Sequence, residues 1–102
     1  MTSLPKPRRY ENAEYRAYVR SHPCAVCSTT VAVECHHLEA SGWGTKCSDL
    51  LTCPLCHECH MMTENMGSRF LESQGTSFEW LYHVALRILA DWVEKSLTNA
   101  AT

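Results

Sequence analysis

Two Cys-x-x-Cys pairs, Cys24-Ala25-Val26-Cys27 and Cys56-His57-Glu58-Cys59, stand 28 residues apart in a chain of 102. No other feature constrains the fold as strongly. A two-residue spacer makes a tight knuckle that turns both sulfurs toward one point, and two such knuckles supply the four thiolates of a tetrahedral zinc site. Binding a structural zinc ion would then contribute folding free energy to a domain with a small core. The competing reading, buried thiols without metal, requires two such pairs to coincide by accident. A disulfide framework fits poorly, because seven cysteines cannot all pair within one chain and disulfides need an oxidising compartment. The start, Met1-Thr2-Ser3-Leu4-Pro5, lacks the apolar run of a signal peptide, and no stretch approaches the roughly 20 apolar residues that span a bilayer. A cytoplasmic chain with no membrane partner is the expectation. A thiol redox protein is a weaker alternative, since it would need a βαβ context that the pattern does not offer.

The length supports one domain and leaves no room for a second core. Residues 1–9, with Pro5 and Pro7, read as an extended arm, and residues 10–102 as the single domain. Tyr15, Tyr18 and Val19 predict a short helix over Tyr10 to Arg20, ended by Pro23. The run Val31 to Leu38 favours strand between two turn-like places, Ser28-Thr29-Thr30 and Ser41-Gly42-Trp43-Gly44, so Cys24 to Asp49 reads as irregular structure with a short strand pair. From about Cys56 the pattern turns helical through Met61, Met62, Met66 and Phe70 and stops near Gly75. Thr76-Ser77-Phe78-Glu79 is a capping-box signature opening a last helix over about 77–97. There Trp80, Leu81, Val84, Ile88, Leu89, Trp92 and Val93 define one apolar stripe, read as core or as a homodimer face. The fold class is therefore α+β.

Charge is unevenly spread. Residues 1–20 are net +3 and the remainder net −5, for −2 overall. An acidic body argues against extensive phosphate binding, but a basic arm with Arg8 and Arg9 suits it. The alternative for the arm is a solvated tail.

Histidines crowd the segment between the cysteine pairs and its end: His36-His37, then His60 directly after Cys59. One imidazole can take a proton from water near neutral pH, while a second with a carboxylate can hold a divalent ion against a phosphodiester. Glu64 lies one helical turn beyond His60, on the same face, either as a ligand or as a solvated charge. In a regular strand His36 and His37 point to opposite faces, so both reach one site only where the strand ends or bulges. Cys35, Cys47 and Cys53 read as small buried side chains, His22 and His57 as exposed neighbours of the zinc ligands, and His83 as surface or filler.

The spaced elements Cys24-x-x-Cys27, Val33-Glu34-Cys35-His36-His37-Leu38, Ser48-Asp49 and Pro54-Leu55-Cys56-x-x-Cys59-His60 resemble the HNH endonuclease family, of the His-Me finger or ββα-metal type. Gly44 to Asp49 leading to Pro54-Leu55-Cys56 is similar to small phage and prophage HNH proteins. The resemblance covers about residues 22–64. It implies a zinc-stapled ββα-metal domain, flanked here by N-terminal and C-terminal helices, that cuts DNA with one catalytic ion (Mg2+, or another such as Mn2+ or Ni2+) and leaves 5′-phosphate ends. On that resemblance His37 is the general base, and His36 and His60 hold the ion. Glu64 stands where some relatives have a further histidine, and Asp49 where the family has an asparagine that orients the base. Lys46, Arg8 and Arg9 are the expected phosphate contacts, and Trp43 either stacks on a base or packs its loop. The second expectation is a catalytically weak or inactive zinc-dependent module that binds nucleic acid or protein. So small a nuclease also suits recruitment by a protein partner.

Overall fold

The computed structural model describes residues 10–38 and 48–101. The first helix, α1 (Ala13–Arg20), begins where Asn12, in an extended conformation, accepts the Tyr15 N–H on its side chain at 3.0 Å. That cap satisfies a donor which the helix itself cannot. It also moves the start from the expected Tyr10 to Ala13. The helix stops at Arg20, three residues ahead of Pro23, consistent with the extended bias of a residue preceding proline. Tyr15 and Val19, four apart, are fully buried.

The first cysteine knuckle follows. The Ser28 N–H donates to the Cys24 carbonyl at 2.9 Å and the Cys24 N–H to the Thr29 carbonyl at 2.8 Å. Ser28 and Ala32 take positive φ, and the Ala32 carbonyl thereby accepts the His57 N–H at 2.9 Å. Strands β1 (Val33–His37) and β2 (Thr52–Cys56) pair antiparallel, with His36 opposite Cys53 and Cys35 opposite Pro54. The partner strand thus lies beyond Asp49, outside the segment expected to contain the pair. Pro54 hid it, since a proline argues against strand. It is tolerated because a strand residue's N–H and C=O point the same way. The Pro54 carbonyl points to the Ala25 N–H at 2.8 Å, so its missing donor also faces away from β1.

All five residues of β2 are buried, and the chain passes directly into α2 (His57–Met66) with Cys56 as the N-cap. The single helix expected through Phe70 is broken at Gly67, whose φ of 60° and ψ of −135° no helix contains. A short α3 (Ser68–Ser73) follows. The last helix, α4, runs Phe78–Ala101, longer than the expected 77–97. Its cap is Ser77, which accepts the Trp80 N–H at 3.4 Å, rather than the Thr76 of the capping-box reading.

Helix α4 spans two apolar clusters. Leu81 and Ala85 join Cys53, Leu55, Phe70 and Leu71, while Ile88 joins Tyr15 and Val19 with Trp92 packed against them. The expected stripe is wider than what this small body covers: Leu81, Ala85 and Ile88 are buried, but Trp80 and Val93 are exposed. No helix of the described residues is long and apolar enough to cross a membrane. Replacing Leu81 with Ala is expected to destabilise the protein by about 2–5 kcal/mol through lost burial and a residual cavity. Urea unfolding followed by tryptophan fluorescence checks this, as a lower midpoint at unchanged slope.

Candidate functional site

The two knuckles converge. One ligand atom from each of Cys24, Cys27, Cys56 and Cys59 lies within 4.8 Å of every other, and the Cys27 and Cys56 sulfurs are 3.7 Å apart. Zn–S bonds of about 2.3 Å in a tetrahedron place sulfurs about 3.8 Å apart, whereas a disulfide requires about 2.05 Å. The cysteines are free thiols, and their spacing fits a metal. Cys56 sits at the N-cap of α2, its sulfur accepting the Cys59 N–H at 3.4 Å. Burial opposes ionisation of Cys24, yet the N–H groups of Cys27, Cys56 and Val26 outweigh it and hold this thiol down to about 7. Burial and the neighbouring sulfurs push Cys59 strongly up. Four negative sulfurs in such a volume need a cation, and a divalent ion supplies one. These residues form a site that can hold a structural metal such as zinc.

A second group lies on the face of β1 that meets α2. His36, His60 and Glu64 likewise present ligand atoms within 4.8 Å of one another. His36 stands edge-on to His60, ring centroids 5.0 Å apart, and its Nδ1 is buried with no hydrogen-bond partner among the described residues. Burial, with His60 adding to it, lowers the His36 pKa to about 4, so the ring is a neutral donor at neutral pH. His60 Nδ1 contacts Glu34 Oε1 at 2.8 Å, and its Nε2 faces Glu64 Oε1 at 3.1 Å. With Nδ1–H given to Glu34, the Nε2 contact is satisfied by a second proton or by a cation shared with Glu64.

His37, the last residue of β1, points to the other face. The strand has no bulge there, and its register is continuous. His37 Nε2 contacts Asp49 Oδ1 at 2.8 Å. Asp49 is fully buried and also accepts the Asn12 N–H at 2.8 Å and the Arg16 guanidinium. Burial works against its charge, but His37, Asn12 and Arg16 outweigh that and hold the carboxyl below the usual range. The strand thus carries a histidine group on each face, and it ends at His37, where the two groups come near one another.

Three contributors were not legible as such in the sequence. Glu34 bridges His60 and, through Oε2 at 3.0 Å, His57, and those hydrogen bonds lower its pKa. Its place two residues before His36, on the same strand face, was the available signal. Arg16, counted only in the net charge of residues 1–20, and Asn12 come from α1 and its N-cap, and nothing local marks them. His57 is exposed beside the sulfur cluster, as expected. His22 instead ends α1, contacting the Tyr18 carbonyl through Nδ1 at 2.8 Å, and His83 stacks on Trp80. Cys53 is buried, which pushes its thiol up to about 12, and Cys35 is half-buried, its thiol donating to the Arg16 carbonyl. Arg8, Arg9, Trp43, Lys46 and Cys47 lie outside the described residues.

The chain is thus a small α+β protein with a four-cysteine site suited to a structural metal. Residues 1–90 match the family described as a protein of unknown function, DUF968, and the chain belongs to that family. Among its relatives is the uncharacterized protein YdfU of Escherichia coli strain K12. It is 34% identical over 90 residues, a match that covers 85% of this chain and 26% of YdfU. The chain spans about a quarter of the length of that relative. No solved structure matches.

Zinc-loaded protein is expected to contain one ion at the four cysteines. Replacing that ion with Co2+ should give the intense absorption of tetrahedral thiolate coordination, and Cys24→Ser should weaken it. Removing the ion with a strong chelator should collapse the near-ultraviolet circular dichroism, because metal binding and folding are coupled.

Proposed function

We propose that this chain is a metal-dependent DNA endonuclease of the HNH type, hydrolysing phosphodiester bonds at the end of β1. The observation that carries this reading is the buried Nδ1 of His36, without a partner among the described residues, beside His60 and Glu64, one residue from a histidine already held by a carboxylate. The chain order β1, β2, α2 supports it, because the two strands and the helix supply all of His36, His37, His60 and Glu64.

On this reading His37 is the general base. Asp49 accepts the Nε2–H, fixing the tautomer and leaving the Nδ1 lone pair to take a proton from water. Arg16 balances the Asp49 charge, so a buried carboxylate is kept ionised for that purpose. Glu34 accepts the His60 Nδ1–H, leaving the lone pair on Nε2 free to ligate, the usual arrangement behind a metal-bound histidine. His36, His60 and Glu64 would hold a divalent ion such as Mg2+, Mn2+ or Ni2+, which stabilises charge developing on the scissile phosphate and the leaving oxygen. Arg8, Arg9 and Lys46 are the proposed contacts to the DNA backbone, and they offset the repulsion expected from an acidic body.

Zinc-loaded protein is expected to nick supercoiled plasmid when Mg2+, Mn2+ or Ni2+ is added, and His37→Ala to lower that rate by about 10²–10⁴ at unchanged zinc content. Absence of nicking by the folded wild-type protein with every ion contradicts the reading and leaves a zinc-dependent binding module.

A further inference from the structure

Helix α4 has a second apolar face that the described residues cover only in part, Tyr82 at its inner end donating its hydroxyl to the Leu38 carbonyl at 3.3 Å. Tyr82, Leu86, Val93 and Leu97 are 37%, 54%, 44% and 65% exposed. At about 100° per residue they fall in one stripe roughly 60° wide, about a third of a turn from the buried Leu81, Ala85 and Ile88. The stripe continues along the projecting end of the helix, where every residue from 93 to 100 is exposed. Scattered exposed apolar residues are ordinary, but a ridge of four in line on a 24-residue helix marks an interaction surface.

We propose that this ridge pairs antiparallel with the same ridge of a second copy of the chain. The spacing reads the same in both directions about a point between Leu89 and Ala90. Under a two-fold axis there, Tyr82 meets Leu97 and Leu86 meets Val93, with the small Ala90 near the crossing. An antiparallel pair of identical helices needs this symmetry, because a two-fold interface must complement itself. Charge points the same way. Arg87 and Glu94 lie one heptad apart on one flank of the ridge, and neither is in an ion pair among the described residues. Antiparallel pairing sets that flank against its own copy running in reverse, bringing each Arg87 toward the Glu94 of the other copy. Parallel pairing would set it against the opposite flank. The paired length, 16 residues, is about 24 Å of helix, a small interface that dissociates on dilution. This inference stands independently of the nuclease reading.

Sedimentation of the zinc-loaded full chain tests it. A dimer mass at about 100 μM, falling toward monomer at about 1 μM, is the expected result. Leu86→Glu and Leu97→Glu, both at exposed positions, should give monomers with unchanged zinc content and circular dichroism. Arg87→Glu should weaken association about tenfold, and adding Glu94→Arg should restore it. A monomer mass for the wild type at every concentration overturns the proposal, as does a dimer indifferent to both leucine variants. Failure of the double charge reversal to restore pairing overturns the antiparallel arrangement.

Discussion

The convergence of four cysteine sulfurs is the constraint from which the rest of this small protein follows. It ties a loop after α1 to the junction of β2 and α2, two segments that also share the Ala25–Pro54 and Ala32–His57 backbone hydrogen bonds. Cys56 ends a fully buried strand and Cys59 lies in the first turn of the helix. Fixing both fixes the angle between strand and helix. His60 is the next residue, so its direction is set by the same four atoms. Opposite Cys53 in the sheet stands His36, and the two imidazoles meet edge to face, ring centroids 5.0 Å apart. A metal held at the sulfurs would therefore be structural in two senses, stabilising the fold and aligning side chains that it does not touch.

Carboxylates do the remaining positioning, one on each face of β1. Glu34 holds His60 from the face that meets α2, and Asp49 holds His37 from the face that meets α1. Each histidine keeps one ring nitrogen for other work. The two carboxylates differ in their surroundings: Asp49 is buried and compensated by Arg16, whereas Glu34 is partly exposed and shared with His57. An acidic residue where the resembled family has asparagine is thus accommodated by a cation from α1, and on the proposed reading its contact with His37 would orient that ring.

Much of this was legible in the chain. The cysteine spacing announced the thiol cluster, apolar periodicity announced α1 and α4, the latter with a capping signal one residue early, and residue spacing alone placed Glu64 on the face of His60. What was not legible has physical causes. Pro54 concealed β2, because only a register that turns its missing N–H away from the partner strand admits it. Gly67 broke the helix with a backbone conformation that the surrounding apolar pattern did not signal. Arg16 reaches Asp49 across 33 residues of sequence, and no local pattern encodes a contact of that range. Of the outward ridge of α4 only Val93 was read as part of the apolar stripe, since a helix apolar around much of its circumference does not reveal how far its own body extends.

The central claim is that the chain holds two metal ions, one at the sulfurs and one at the histidines. Anomalous diffraction from crystals of the zinc-loaded protein grown with Mn2+ tests it most directly. The account predicts a zinc peak among Cys24, Cys27, Cys56 and Cys59, and a separate manganese peak about 2.0–2.2 Å from a ring nitrogen of His36, from His60 Nε2 and from a Glu64 oxygen. A zinc peak alone, with the His36 Nδ1 still unpartnered, would contradict it.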